Sequence, residues 1–115
     1  MKKKKKIYLA IPYTLVEMKS FSTANKIAHD LIEDGNIVFS PISHSHPIWL
    51  EGMKVLGADV WLEQDKEFVK WCDELHVVVL KKPYKGLDLI KKSKGIQLEL
   101  KWAKQYKKPI KYIEE

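Results

Sequence analysis

The chain has 115 residues, 45% hydrophobic and 31% charged, which suits one globular domain and excludes a disordered or fibrous chain. No apolar run approaches the ~20 residues of a membrane span, and the single Cys72 excludes an internal disulfide and fits a reducing compartment. The net charge is +6 and every basic residue is lysine, so a bidentate guanidinium clamp on phosphate is unavailable.

The first five lysines precede Ile7-Tyr8-Leu9-Ala10-Ile11. This run is too short for a secretory h-region and is closed by Pro12, so a cytoplasmic protein with a lysine tail over residues 1–6 is expected. The apolar run reads as a buried strand, and Pro12-Tyr13-Thr14 as a turn at its carboxyl end. Phe21, Ala24, Ile27, Ala28 and Leu31 recur at helical spacing, with Ser20 or Ser22 as the expected cap and Gly35 as the stop. Asn36 to Ser40 reads as a second strand, stopped by Pro41. Strand, helix and strand in about 35 residues make a βαβ unit with a parallel pair. Ligands bind beyond the carboxyl ends of such strands, which puts Pro12 to Thr14 and Pro41 to His46 at the candidate site.

Ile42-Ser43-His44-Ser45-His46-Pro47-Ile48-Trp49 reads as a loop over that site. His44 and His46 have the spacing of two metal ligands but lack a third nearby, so no metal and no cofactor are expected. Hydrogen bonding to a polar ligand beside a flat tryptophan wall is the better use of these residues. Gly52 and Gly57 bracket a turn-rich stretch, and Val60 to Cys72 is helical. Asp65 interrupts the face formed by Trp61, Phe68 and Cys72. Leu75 to Leu80 is a continuous apolar run and the expected central strand, with His76 as a sheet-face histidine.

Residues 81–94 contain six lysines and read as a long solvated loop, with a lid over an anionic ligand as the second reading. Ser93-Lys94-Gly95 then opens a helix to about Tyr106, and Pro109 to Ile113 forms the last strand. Glu99 shares a face with Ile96, Leu100 and Ala103, the face a helix normally buries. Burying a carboxylate is costly, so Glu99 is hidden by a partner, used in a cleft, or a solvated glutamate on a helix with ragged apolar edges. No repeat appears, and a single domain over 1–115 is expected.

Four features occur together: the Ile7-Tyr8-Leu9-Ala10 strand, Asp65 ahead of Cys72-Asp73, Ser93-x-Gly95-Ile96-x-x-Glu99, and Ala103 followed by Lys108-Pro109-Ile110. In order and spacing they resemble the nucleoside 2-deoxyribosyltransferase superfamily, which includes the 2'-deoxynucleoside 5'-phosphate N-hydrolases. Ser40-Pro41-Ile42-x-His44-Ser45-His46-Pro47-Ile48 is similar to a small uncharacterised bacterial and phage branch of it.

The resemblance implies an α/β fold, a flavodoxin-like (Rossmann-like) three-layer sandwich with a mostly parallel sheet of four to five strands. It implies cleavage or transfer at the N-glycosidic bond of a nucleoside or nucleotide. Glu99 would be the nucleophile, Asp65 the group that orients or protonates the base, and Tyr8 a neighbour of the glutamate and sugar. Pro12, Tyr13, His44, His46, Ser93 and Gly95 would form the pocket, and a serine at position 93 favours a phosphorylated substrate. The expected partner is a small nucleoside or nucleotide, not nucleic acid or a membrane, and relatives imply a dimer or larger homo-oligomer. The missing arginine motivates an alternative, a nucleotide-binding module of the same fold without turnover. The +6 charge motivates a nucleic-acid-binding protein as the third reading.

Overall fold

The computed structural model describes residues 4–13, 16–52 and 58–115. Among the described residues nine elements follow in order: β1 (Lys6–Ala10), α1 (Glu17–Glu33), β2 (Ile37–Phe39), α2 (Pro41–Glu51), α3 (Ala58–Trp71), β3 (Glu74–Val79), α4 (Gly86–Lys92), α5 (Lys94–Gln105) and β4 (Ile110–Glu114). The four strands form one sheet in the order β2-β1-β3-β4, and every neighbouring pair is parallel. This is the flavodoxin-like architecture expected from the sequence. Among the described residues no helix is long and apolar enough to cross a membrane.

Alternation along the strands builds two cores. Tyr8, Ala10, Leu75 and Val77 face Val69 and Cys72 at the end of α3 and Ile96, Trp102 and Ala103 of α5. Leu9, Ile11 and Val78 face Ala24, Ile27 and Ala28 of α1. Both faces of β1 and β3 are therefore covered, which is why these strands read as continuous apolar runs. The chain leaves β1 toward β2 on one side and later returns to place β3 on the other, so the connections diverge beyond the carboxyl ends of β1 and β3. A doubly wound sheet places its ligand crevice at this point.

Several local expectations change. Lys6 is not tail but the first residue of β1, and its N–H donates to Asp73 Oδ2 at 2.9 Å. Helix α1 starts at Glu17, ahead of both expected caps. Ser20 is instead buried, and its hydroxyl donates to the Pro12 carbonyl, tying α1 to the exit of β1. The stretch from Pro41 is a helix, α2, with Ser40 at the N-cap position, Pro41 in the first turn and Pro47 inside. Proline suits a first helical turn because its missing N–H would be unpaired there anyway. The lysine-rich 81–94 segment contains α4, although a seven-residue helix covers only its middle. Gly57 and Thr14 lie outside the described residues. His76 is a buried sheet-face histidine, with Nε2 paired to Glu74 Oε1 at 2.8 Å. Glu74 also lies 3.3 Å from Lys111 and 3.6 Å from Lys5. This cluster lies at the amino ends of the strands, away from the crevice.

Gly86 fixes how α4 leaves the sheet. A Cβ there would lie 2.5 Å from the Leu80 carbonyl oxygen and 2.7 Å from the Leu80 nitrogen, both backbone atoms that cannot rotate away. Gly86→Ala is expected to destabilise the fold by about 1–3 kcal/mol, the usual cost of overpacking. Urea denaturation checks it, and an unchanged midpoint would contradict this close packing.

Candidate active site

The crevice collects residues from every crossover. Tyr13 follows β1. Pro41, Ile42, Ser45 and His46 come from α2, directly after β2. Trp61, Leu62 and Asp65 come from α3, and Ser93, Gly95, Ile96 and Glu99 from the start of α5 and the residue before it. They enclose two chambers. The smaller, about 100 Å³, has Ile11, Leu62, Ser93, Gly95, Ile96 and Glu99 in its walls. The larger, about 310 Å³, is lined by Ser45, His46, Trp49 and Trp61. Tyr13, Pro41, Ile42 and Asp65 belong to both chambers and form the wall between them.

Helix α5 aims Glu99 into the small chamber. Ser93 caps the helix, its Oγ accepting from the Ile96 N–H at 3.2 Å. Six residues later Glu99 lies on the buried face with Ile96, Trp102 and Ala103 and is only 7% exposed. The hydroxyl of Tyr8, wholly buried in β1, donates to Glu99 Oε2. Burial pushes the Glu99 carboxyl up to about 8; the Tyr8 hydrogen bond opposes this and the nearby Asp65 charge adds to it. Asp65 is pushed up to about 7 by burial, and its Oδ1 is buried without a hydrogen-bond partner among the described residues. Tyr8 itself is held well above the usual phenol range by its burial and then by the two carboxylates. Such a set, two carboxyls lifted into the neutral range in one cleft, is what acid–base chemistry requires.

His46 shapes the larger chamber. Its ring is buried against Phe21 with centroids 4.5 Å apart, and Nδ1 shares a 2.5 Å hydrogen bond with the Tyr13 hydroxyl. That bond joins α2 to the β1 exit. His44, two residues earlier on the helix, is exposed, and its ring tilts over Phe39 at 5.6 Å. It lines neither chamber. Pro12 is buried behind the cleft with its carbonyl held by Ser20, and also lines neither. The structure thus brings Glu99, Asp65, Tyr13, His46, Ser93 and Gly95 together in the chamber walls, with Tyr8 bonded to Glu99 from behind, while His44 and Pro12 stand outside. Sequence reasoning put Pro41 to His46 at the site as a loop without singling out Pro41, Ile42 or Ser45 as wall residues, and it did not place Leu62 there. The signal available was the Ser40-Pro41 start of α2, which turns Pro41, Ile42 and Ser45 onto one face at helical spacing. Trp61 precedes Asp65 by one turn on α3, so the two share a face.

A family model described as a domain of unknown function, DUF1937, matches residues 5–115. The chain belongs to that family. No curated protein matches the sequence. Among solved structures, a 2-deoxyribosyltransferase from the psychrotolerant bacterium Bacillus psychrosaccharolyticus is 24% identical with a TM-score of 0.61, over 95% of this chain and 72% of its own. A 2-desoxiribosyltransferase from Leishmania mexicana is 15% identical with a TM-score of 0.66, over 96% of this chain and 64% of its own. At these identities the likeness is one of fold, and the chain spans just under two thirds of the Leishmania protein.

The raised carboxyls carry a signature in stability. Glu99 and Asp65 titrate near 8 and 7 in the folded chain, against ordinary values of 4.5 and 3.8. The folded state therefore holds more protons than the unfolded one between those limits, and stability falls as pH rises. The contribution is complete below about pH 4 and is lost as pH climbs through 7 to 8. Melting temperatures from pH 5 to 8.5 should decline, and Glu99→Gln and Asp65→Asn should each flatten the decline. An unchanged slope in both variants would contradict the burial of these groups.

Proposed function

We propose that this site cleaves or transfers the N-glycosidic bond of a nucleoside or nucleotide, with Glu99 as the nucleophile. The observation that carries the reading is the buried Glu99, held by the Tyr8 hydroxyl and sharing its chamber with Asp65. Two solved structures with this fold are 2-deoxyribosyltransferases, which supports the same reaction class here.

Breaking the bond between C1' and the base nitrogen develops positive charge at C1'. Glu99 would attack that carbon and form a glycosyl ester, as the nucleophile of a retaining glycosidase does. Asp65, in the wall shared by both chambers, would deliver a proton to the departing base. Water, or a second base, would then take the sugar from Glu99. Both carboxyls are lifted toward neutrality, so near pH 7 to 8 the pair holds about one proton between them. By itself the pair keeps that proton on Glu99, the higher of the two, so the roles require it to pass to Asp65 when substrate binds. The Tyr8 hydrogen bond and the growing charge at C1' both favour the ionised form of Glu99.

The chambers divide the substrate. The sugar belongs in the small chamber beside Glu99 and the base in the larger aromatic one. A 5'-phosphate would meet the Ser93–Gly95 turn, where the α5 N-terminus turns N–H donors and a partial positive charge outward. Lys92 and Lys94 flank Ser93 in sequence and are exposed. They would supply the charge that an arginine provides elsewhere.

Incubation with a panel of nucleosides and their 5'-monophosphates, followed by chromatography for free base, tests the reading. Base release is expected, with the monophosphates preferred. Glu99→Ala should lower the rate by at least about 10³-fold, as expected when a nucleophile is removed. Release that survives in Glu99→Ala would exclude Glu99 as the nucleophile. Ligand-induced melting shifts with no product would instead favour the binding module without turnover.

A further inference from the structure

We infer that Ser45 is a specificity residue that, together with Asp65, reads the edge of a purine base in the larger chamber. The inference rests on the glycosidic reading for the identity of the ligand, and it goes beyond it by naming the base class and the residue that selects it.

Two buried side-chain oxygens in the chamber walls, Ser45 Oγ and Asp65 Oδ1, have no hydrogen-bond partner among the described residues. Buried polar atoms are nearly always paired, so two orphans in the walls of one chamber point to a partner that the chain itself does not provide. The serine is unusual in its own right. A serine inside a helix commonly returns its hydroxyl to the carbonyl one turn back. Ser45 makes no such bond, although it lies in the second turn of α2. The neighbouring His46, by contrast, is engaged by Tyr13.

Trp49, Trp61, Pro41 and Ile42 give the chamber apolar walls, completed by Tyr13 and His46, which hydrogen-bond each other. A heteroaromatic ring suits it, because such a ring needs apolar faces and polar contacts along one edge. At about 310 Å³ the chamber is three times the volume of the one beside Glu99, which leaves room for a two-ring base.

The chemistry sets the orientation. As the bond from C1' to N9 breaks, its electron pair passes into the purine. The proton of Asp65 moves to N7, the neutral base leaves, and Asp65 is left as a carboxylate while C1' is bonded to Glu99. The C6 substituent lies beside N7 on the same edge. Asp65 lines both chambers whereas Ser45 lines only the larger one. The group that Ser45 reads is therefore farther from the sugar than the atom Asp65 protonates, as the C6 substituent is. A hydroxyl can donate to a 6-oxo group or accept from a 6-amino group. Ser45 thus favours either over a purine bare at C6, without choosing between them.

Equilibrium binding of free adenine, hypoxanthine, unsubstituted purine and cytosine, read by quenching of intrinsic tryptophan fluorescence, tests the inference. Adenine and hypoxanthine should each bind about ten-fold more tightly than unsubstituted purine, the size of one hydrogen bond. Ser45→Ala, first shown by melting to be folded, should bring both to the level of unsubstituted purine, and Ser45→Thr, which keeps the hydroxyl, should retain the preference. A preference that persists in Ser45→Ala, tighter binding of cytosine than of adenine, or no binding of any base would each overturn it. Base release from nucleosides is scored separately. Release with a preference unaltered in Ser45→Ala removes Ser45 and leaves glycosidic cleavage standing. A preference erased by Ser45→Ala without any release does the reverse.

Discussion

The hydrogen bond from the Tyr8 hydroxyl to Glu99 joins the sheet to the chemistry of the cleft. A carboxylate removed from water is destabilised by several kcal/mol unless something answers it. Here the answer comes from a tyrosine in the first strand, 91 residues away in sequence. Tyr8 belongs to the same core as Val69, Ile96 and Trp102, so the donor is fixed by packing on several sides. The bond offsets only part of the desolvation, and Glu99 remains lifted to about 8. A group in that state gains most from a ligand that brings positive charge, and a sugar losing its base does so at C1'.

The parallel sheet supplies the geometry around that bond. Each crossover delivers one part of the site to the carboxyl end of the strands: Tyr13 after β1, α2 after β2, and Ser93 with α5 after β3. Helix α3, which precedes β3, adds Asp65 from the flank, where it forms part of the wall between the chambers. The division has a consequence for mechanism. In the proposed reaction, Asp65 can give its proton to the base in one chamber and, once ionised, act on Glu99 in the other. The Asp65 charge already reaches across the wall, adding to the upward shifts of both Tyr8 and Glu99.

Much of this was legible in the sequence because it rests on strong local signals. The runs at Ile7 to Ile11 and Leu75 to Leu80 are too apolar for anything but buried strands. Glu99 stood out because the spacing of Ile96 and Ala103 defines a buried face with a carboxylate on it. Asp65 stood out in the same way against Trp61 and Phe68. Helix α2 was not legible, because its order is tertiary. Two prolines, two histidines and three serines over Ser40 to Trp49 give no helical period, the Ser40 side chain makes no cap hydrogen bond, and the segment is held by His46 against Tyr13 and Phe21. Read as a loop it gave His44 and His46 equal standing. As a helix it turns His46 inward and His44 out. Ser45 had no direction until then. Helix α4 escaped for a related reason: seven residues are too few to show a period, and its path depends on the contact of Gly86 with Leu80. The start of α1 was misplaced because Ser20 spends its hydroxyl on the Pro12 carbonyl and not on a cap.

The central claim is that Glu99 bonds to the anomeric carbon. A 2'-fluoroarabinosyl nucleoside tests it directly, because fluorine at C2' disfavours positive charge at C1' and slows breakdown of a glycosyl ester. Intact-mass measurement followed by peptide mapping should show one sugar added per chain, on the peptide that carries Glu99, and no addition in Glu99→Gln. Base release from the ordinary nucleoside with no adduct from the fluorinated one, or an adduct on any other residue, would contradict the account.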